Sequence, residues 1–292
     1  MEHAVSLFQY DFMLRALVGA LIIGLAAPAL GIYLVQRRLA LIGDGIGHVA
    51  LTGVGAGLLF NQSPVIMAVL AATLGAVVIE LVRERGRTSG DLALALLFYG
   101  GIAGGVMLVG LSDASNANLN AYLFGALTTT SRTDLVTIAV LGVAVLVVMV
   151  ALRPALFAVC HDEEYARVSG LPVRTLNLLL AVTTAVTVTI AMRAVGVLLI
   201  SALMVVPVAT AQQVTRGFRS TMAMAMAVGL LAAGSGVWVA GVADTAPGAS
   251  VVVLAIASFL VVAVGAGVWR TLRRRRTPAA PTASEPHEVV LG

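Results

Sequence analysis

The chain has 292 residues, 60% of them hydrophobic and only 11% charged, with a mean hydropathy of +1.02 and a formal net charge of +4. A water-soluble domain carries about a quarter charged residues, so a soluble globular fold is excluded. All 18 basic residues are arginine. Without lysine there is no Walker A phosphate loop and no Schiff-base amine, so the chain has no usual phosphate-loop route to ATP hydrolysis of its own.

Apolar runs of about twenty residues recur along the chain, each able to cross a hydrocarbon core of roughly 30 Å. They predict an all-α integral membrane protein, a polytopic helical bundle of about nine spans, or eight to nine allowing for the ends. The spans are 13–36, 39–60, 64–82, 91–111, 134–152, 173–192, 194–212, 220–240 and 249–269. Residues 1–12 are compatible with an interfacial segment, and 117–131 with a re-entrant half-helix; both bear on the count. Glu2 stands where a secretory leader would be basic, so the first span reads as retained. Placing the loops at Arg37, Arg83, Arg153 and Arg216 and the C-terminus inside leaves only Arg15, Arg132 and Arg193 outside, fifteen against three. That asymmetry predicts a cytoplasmic C-terminus. The domain reading is a transmembrane body over 13–270 and a disordered cytoplasmic tail over 271–292. The tail's arginines suit anionic lipid head groups, not nucleic acid.

Three stretches carry chemistry. In the second span, Asp44 and His48 stand four residues apart, on one face of a helix. Counting from Arg38 at 1.5 Å per residue places them about 9 and 15 Å into the membrane. Ionisable groups there are costly and tend to be functional. A carboxylate oxygen and an imidazole nitrogen make half of a divalent transition-metal site; alternatively, the two simply hydrogen-bond each other. Gly43 and Gly47, a GxxxG pair beside them, allow close approach of a second helix. If that helix is the same span of a second copy, two Asp44 and two His48 meet; ordinary packing is the plainer reading.

The second stretch is acidic, from Cys160 to Pro172. Asp162, Glu163 and Glu164 suit a helix N-terminus and Gly170 its end, with Ala166 between. Spacing alone favours a solvated connector over a docking helix. The third is the span containing Ser201 and Pro207, where a mid-helix proline predicts a kink that either lines a path or serves packing. Ser201 has no histidine or lysine in sequence reach, and no HExxH, GxSxG or CxxC occurs, so an intramembrane enzyme is disfavoured. His161 reads as a solvated loop histidine; His3 and His287 lack metal-ligand spacing.

Together these stretches resemble the permease subunits of bacterial zinc, manganese and iron ABC transporters. The similarity lies in RR-x-L-x-GD-x-x-x-H from Arg37 to His48, and D-E-x-x-A-x-x-x-G-x-P from Asp162 to Pro172. It continues in G-x-L-L-x-x-A-L-x-x-x-P-x-A-T-A from Gly196 to Ala211 and P-G-A-S-V-V-V-L-A from Pro247 to Ala255. The family pattern has GDAISH where this chain has Gly45 and Gly47, removing a hydroxyl beside the histidine. The resemblance implies an importer permease that is not itself an enzyme, working as a homodimer on cytoplasmic ATPase subunits and fed by an extracellular metal-binding protein. Asp44 and His48 would ligate the transported cation, while Asp162, Glu163, Ala166 and Gly170 would form the coupling segment at 160–172. No permanent cofactor is implied beyond the transported metal and ATP on the partner. Zinc leads on affinity order, with manganese and iron as alternatives. The rival reading is a proton-coupled secondary metal transporter that needs no ATPase.

Overall fold

The computed structural model describes residues 11–84, 90–112, 122–125, 132–192 and 195–276. Eleven helices follow in chain order among the described residues: α1 (Asp11–Gln36), α2 (Ile42–Leu59), α3 (Pro64–Glu84), α4 (Gly90–Leu111), α5 (Arg132–Ala151), α6 (Arg153–His161), α7 (Glu163–Val168), α8 (Val173–Met192), α9 (Val197–Gln212), α10 (Phe218–Ala243) and α11 (Pro247–Arg276). The breaks fall where local chemistry demands them. Pro64 and Pro247 open α3 and α11, positions where a missing N–H costs nothing. Asn61 and Asp244 take left-handed φ of 52° and 50° at the turns before them.

Each of the nine predicted spans coincides with a helix, but the helices are not equivalent. Seven are long and apolar enough to cross a membrane. An eighth crossing arises only if α5 and α6, bent by 67° at Leu152, form one broken span. The helix predicted over 194–212 begins at Val197 and has 16 residues, about 24 Å at 1.5 Å per residue and short of a full crossing. The predicted tail also begins too early. Helix α11 runs on to Arg276, because leucine and arginine are good helix formers and no breaker occurs before Pro278. Residues 1–10, 113–121, 126–131 and 277–292 lie outside the described residues, and with them most of the predicted interfacial and re-entrant segments.

Helix α2 is central and packs on α3, α4, α8 and α9, while α1 is clasped by α5, α9 and α10. Glycine permits these approaches: a Cβ on Gly24 would lie 2.8 Å from the carbonyl oxygen of Gly229 where α1 crosses α10. Close contact between small residues is the main attraction available to helices in lipid. Several polar groups in this core are satisfied by backbone carbonyls. Buried Thr184, Thr187 and Thr189 on α8 each donate to the carbonyl four residues back, at 2.6–2.7 Å. The buried Tyr33 hydroxyl donates to the Met149 carbonyl at 2.7 Å, tying α1 to α5.

Candidate metal centre

Helix α2 starts at Ile42, so Asp44 occupies its first turn and His48 the next. Residues 39–41 belong to the preceding turn and add no helical rise. The depth counted from Arg38 is therefore too great, and the carboxylate sits about 3 Å along the helix. Its negative charge also complements the helix N-terminus. Asp44 faces a cavity of about 310 Å³ lined by Leu41, Leu94, Ala95, Phe98 and Tyr99. His48 is 5% exposed, and its imidazole meets the Phe98 ring edge-on, with centroids 4.4 Å apart at 80°. Tyr99 in turn packs at 85° to Phe98, at 5.6 Å. Phe98 on α4 thus packs against His48 and lines the cavity that Asp44 faces.

Helix α4 comes this close because Gly101 offers no side chain. A Cβ there would lie 2.6 Å from the carbonyl carbon of His48 and 2.7 Å from the nitrogen of Val49. The Thr52 hydroxyl, one turn beyond His48, donates to the Gly101 carbonyl at 2.8 Å and locks the two backbones together. Two buried polar atoms near this junction have no hydrogen-bond partner among the described residues: His48 Nδ1 and Ser201 Oγ. An unpartnered buried nitrogen beside a carboxylate-bearing cavity suits a group whose ligand is the cargo. One carboxylate and one imidazole are an incomplete set, and no cluster of three or more His, Cys, Asp or Glu able to hold a metal occurs among the described residues.

Of the two readings of the glycines beside the pair, packing within the chain is the one the structure shows. Gly43 faces Ser201 and Met204 on α9, and Gly47 faces Val197 on α9 and Val188 on α8. The GxxxG face is filled by the chain's own helices. Gly53 and Gly57 likewise receive α3. At Gly45 and Gly47, which depart from GDAISH, a Cβ would stand 2.8 Å from the Leu94 Cδ1 and 3.1 Å from the Val197 Cγ1. Pro207 lies inside α9, which remains one helix from Val197 to Gln212, so the proline makes no break there. Pro28 occupies a comparable place in α1 and faces Gly229.

At the end of the bundle where α1 turns into α2, the acidic stretch folds as α7. The Asp162 carboxylate caps it, accepting from the Tyr165 N–H at 2.9 Å, and Gly170 closes the following turn at φ +80°. Ala166 is fully buried, whereas Tyr165 and Val168 are exposed. Glu163 accepts from Arg37 at 3.3 Å, and Arg37 also donates to Asn177 Oδ1 on α8 at 2.8 Å. Burial lowers the Arg37 pKa, the Arg83 charge adds to this, and Cys160, Glu80 and Glu163 oppose it. His161 stacks on Phe157, with centroids 5.6 Å apart, and takes no part in the Asp44/His48 site. Phe98, Thr52 and Arg37 were not singled out from sequence. Only the Arg37-Arg38 doublet gave a signal, read as membrane orientation and as the start of the RR-x-L-x-GD-x-x-x-H motif, with no partner named for Arg37.

Comparison with known proteins decides the family. Residues 9–266 match the model of the ABC 3 transport family. The chain belongs to that family. It is 29% identical over 254 residues to the manganese transport system membrane protein MntC of Halalkalibacterium halodurans, covering 87% of each. It is 29% identical over 245 residues to the high-affinity zinc uptake system membrane protein ZnuB of Haemophilus influenzae, covering 84% of this chain and 94% of the relative. It is 31% identical over 255 residues to the chelated iron transport system membrane protein YfeD of Yersinia pestis, covering 87% and 85%. The structure superposes on PsaBC from Streptococcus pneumoniae, solved in complex with Fab, with a TM-score of 0.83 and 27% identity over 94% of this chain and 99% of that one. The chain is accordingly the multi-pass permease subunit of a metal-ion ABC transporter, and a separate ATPase chain hydrolyses the ATP. The proton-coupled alternative is not favoured.

Proposed function

We propose that this permease imports a divalent transition-metal ion, zinc foremost, across the bacterial inner membrane, and that Asp44 and His48 are its cation ligands. The observation that carries the reading is the buried, unpartnered His48 Nδ1 one turn from Asp44 at the rim of an open cavity. Two donors do not complete a coordination shell. A second copy of the chain, apposed across the Leu41 and Asp44 side of α2, supplies the other pair. Carboxylates offset the cost of desolvating a dication, and neutral imidazole favours borderline metals over magnesium or calcium. An extracellular binding protein delivers the ion. The C-terminus and α7 face the cytoplasm, where α7 seats on the ATPase through exposed Tyr165 and Val168.

Transport then follows alternating access. ATP binding in the partner moves α7, and the bundle switches which side of the Asp44/His48 pair is open. The test is radiometal uptake into cells or proteoliposomes with zinc, manganese and iron offered separately. Wild type, Asp44→Ala and His48→Ala are compared at matched membrane levels, with and without the ATPase. Loss of one metal's uptake in both variants, with dependence on ATPase, is expected. Uptake undiminished in both variants would remove the two residues from the ion path.

A further inference from the structure

We propose that Arg37 is the positioning residue that carries movement of α7 to the metal-binding helix α2. The inference rests on α7 being the ATPase seat. The Arg37 side chain is 6% exposed, so its charge is held in place only by what it bonds. It bonds two elements distant in sequence, Glu163 at the start of α7 (3.3 Å) and Asn177 on α8 (2.8 Å). On α7, Ala166 anchors the helix by packing, and Glu163 makes the charged tether to the bundle. The second oxygen of Glu163 accepts from Arg167 of the same helix, at 3.4 Å.

The other half of the linkage is backbone. Arg37 follows directly on α1, and Arg38 turns the chain in the left-handed region at φ 59°. The turn is closed by Arg38 N–H to the Val35 carbonyl at 3.1 Å and Leu39 N–H to the Leu34 carbonyl at 2.8 Å. On its far side the Ile42 N–H reaches the Leu39 carbonyl at 3.0 Å, and α2 begins. Asp44 follows two residues later. A turn hydrogen-bonded at both ends has little slack, so displacement of Glu163 reaches Asp44 as displacement rather than as loop motion. Asn177 holds the guanidinium against α8 and gives the lever a fixed support. A salt bridge between these residues is costly to half-remove, which makes charge-neutral and paired variants the informative ones.

The experiment uses the full permease–ATPase complex in lipid nanodiscs and proteoliposomes, with Zn²⁺ and Mn²⁺ presented on the extracellular binding protein. Arg37→Gln, Glu163→Gln and the double variant are compared for ATPase co-purification, equilibrium Zn²⁺ binding, ATP hydrolysis and uptake. Each single variant is expected to lower uptake and metal-stimulated hydrolysis by about tenfold, within the usual range of coupling free energies. Zn²⁺ binding and assembly should stay near wild type, and the double variant should be no worse than the worse single, as for residues acting through one contact. Uptake near wild type in both singles, or losses that add in the double, would overturn the proposal. If Arg37→Gln does not reach the membrane, Glu163→Leu and Asn177→Leu each remove one of its two bonds, and the same criteria apply. Val168→Asp separates the proposal from the reading beneath it. Assembly and coupling intact in Val168→Asp would overturn α7 as the seat and the proposal with it. Lost assembly there with a fully coupled Arg37→Gln would overturn the role of Arg37 alone.

Discussion

Gly101→Ala is the sharpest structural test of how α4 holds His48. A Cβ at this position would stand 2.6 Å from the carbonyl carbon of His48, 2.7 Å from the Val49 nitrogen and 2.9 Å from the His48 oxygen. Carbon contacts are comfortable at about 3.5–4.0 Å, so α4 must withdraw by about 1 Å. These neighbours are backbone and cannot rotate away. Withdrawal stretches the Thr52–Gly101 hydrogen bond, now 2.8 Å, beyond bonding range. Overpacking costs about 1–3 kcal/mol, and an interhelical hydrogen bond in a membrane protein averages about 0.6 kcal/mol. Alanine returns about 1 kcal/mol of helix propensity. Gly110 on the same helix has nothing within 4 Å of its would-be Cβ, so Gly110→Ala takes the propensity gain without the clash. The two variants should differ by roughly 1.5–3.5 kcal/mol, measured by reversible unfolding in mixed micelles. Phe98 moves with α4, so Gly101→Ala should also weaken metal binding while Gly110→Ala does not. Equal stability and equal metal affinity in the two variants would refute the packing argument.

Removing the cap of α7 by Asp162→Ala should cost about 1 kcal/mol locally, whereas Asp162→Asn should keep most of it. Faster amide exchange over α7 in the alanine variant alone is the expected readout. Metal competes with protons for imidazole, so Zn²⁺ binding should weaken as the medium is acidified, because His48 ligates only when neutral. A pH profile of Zn²⁺ binding left unchanged by His48→Ala would exclude direct ligation.

What could be read from sequence was periodic or electrostatic. Apolar length located the long helices but not how many of them cross, because a run of apolar residues signals burial and not a full crossing. Asp44 and His48 stood out because charge in such a run is expensive. Contacts between distant segments left no comparable mark. A glycine pair permits close approach but does not name its partner, so Gly43 and Gly47 could not be assigned to α9 and α8, which proved to be their neighbours. Arg37 and Glu163 lie 126 residues apart, and nothing in either local pattern joins them. Phe98 looked like any apolar residue of its span until the fold set its ring against His48. The extra turns of α11 were hidden by charge: a run of arginines looks like a tail, although arginine sustains a helix well.

The most direct test of the central claim is metal stoichiometry on the purified wild-type permease by equilibrium dialysis against Zn²⁺ and Mn²⁺, with Asp44→Ala and His48→Ala alongside. Shared ligation by two copies predicts one tightly held ion per two chains, absent in both variants. One ion per chain, or binding unchanged in either variant, would contradict it.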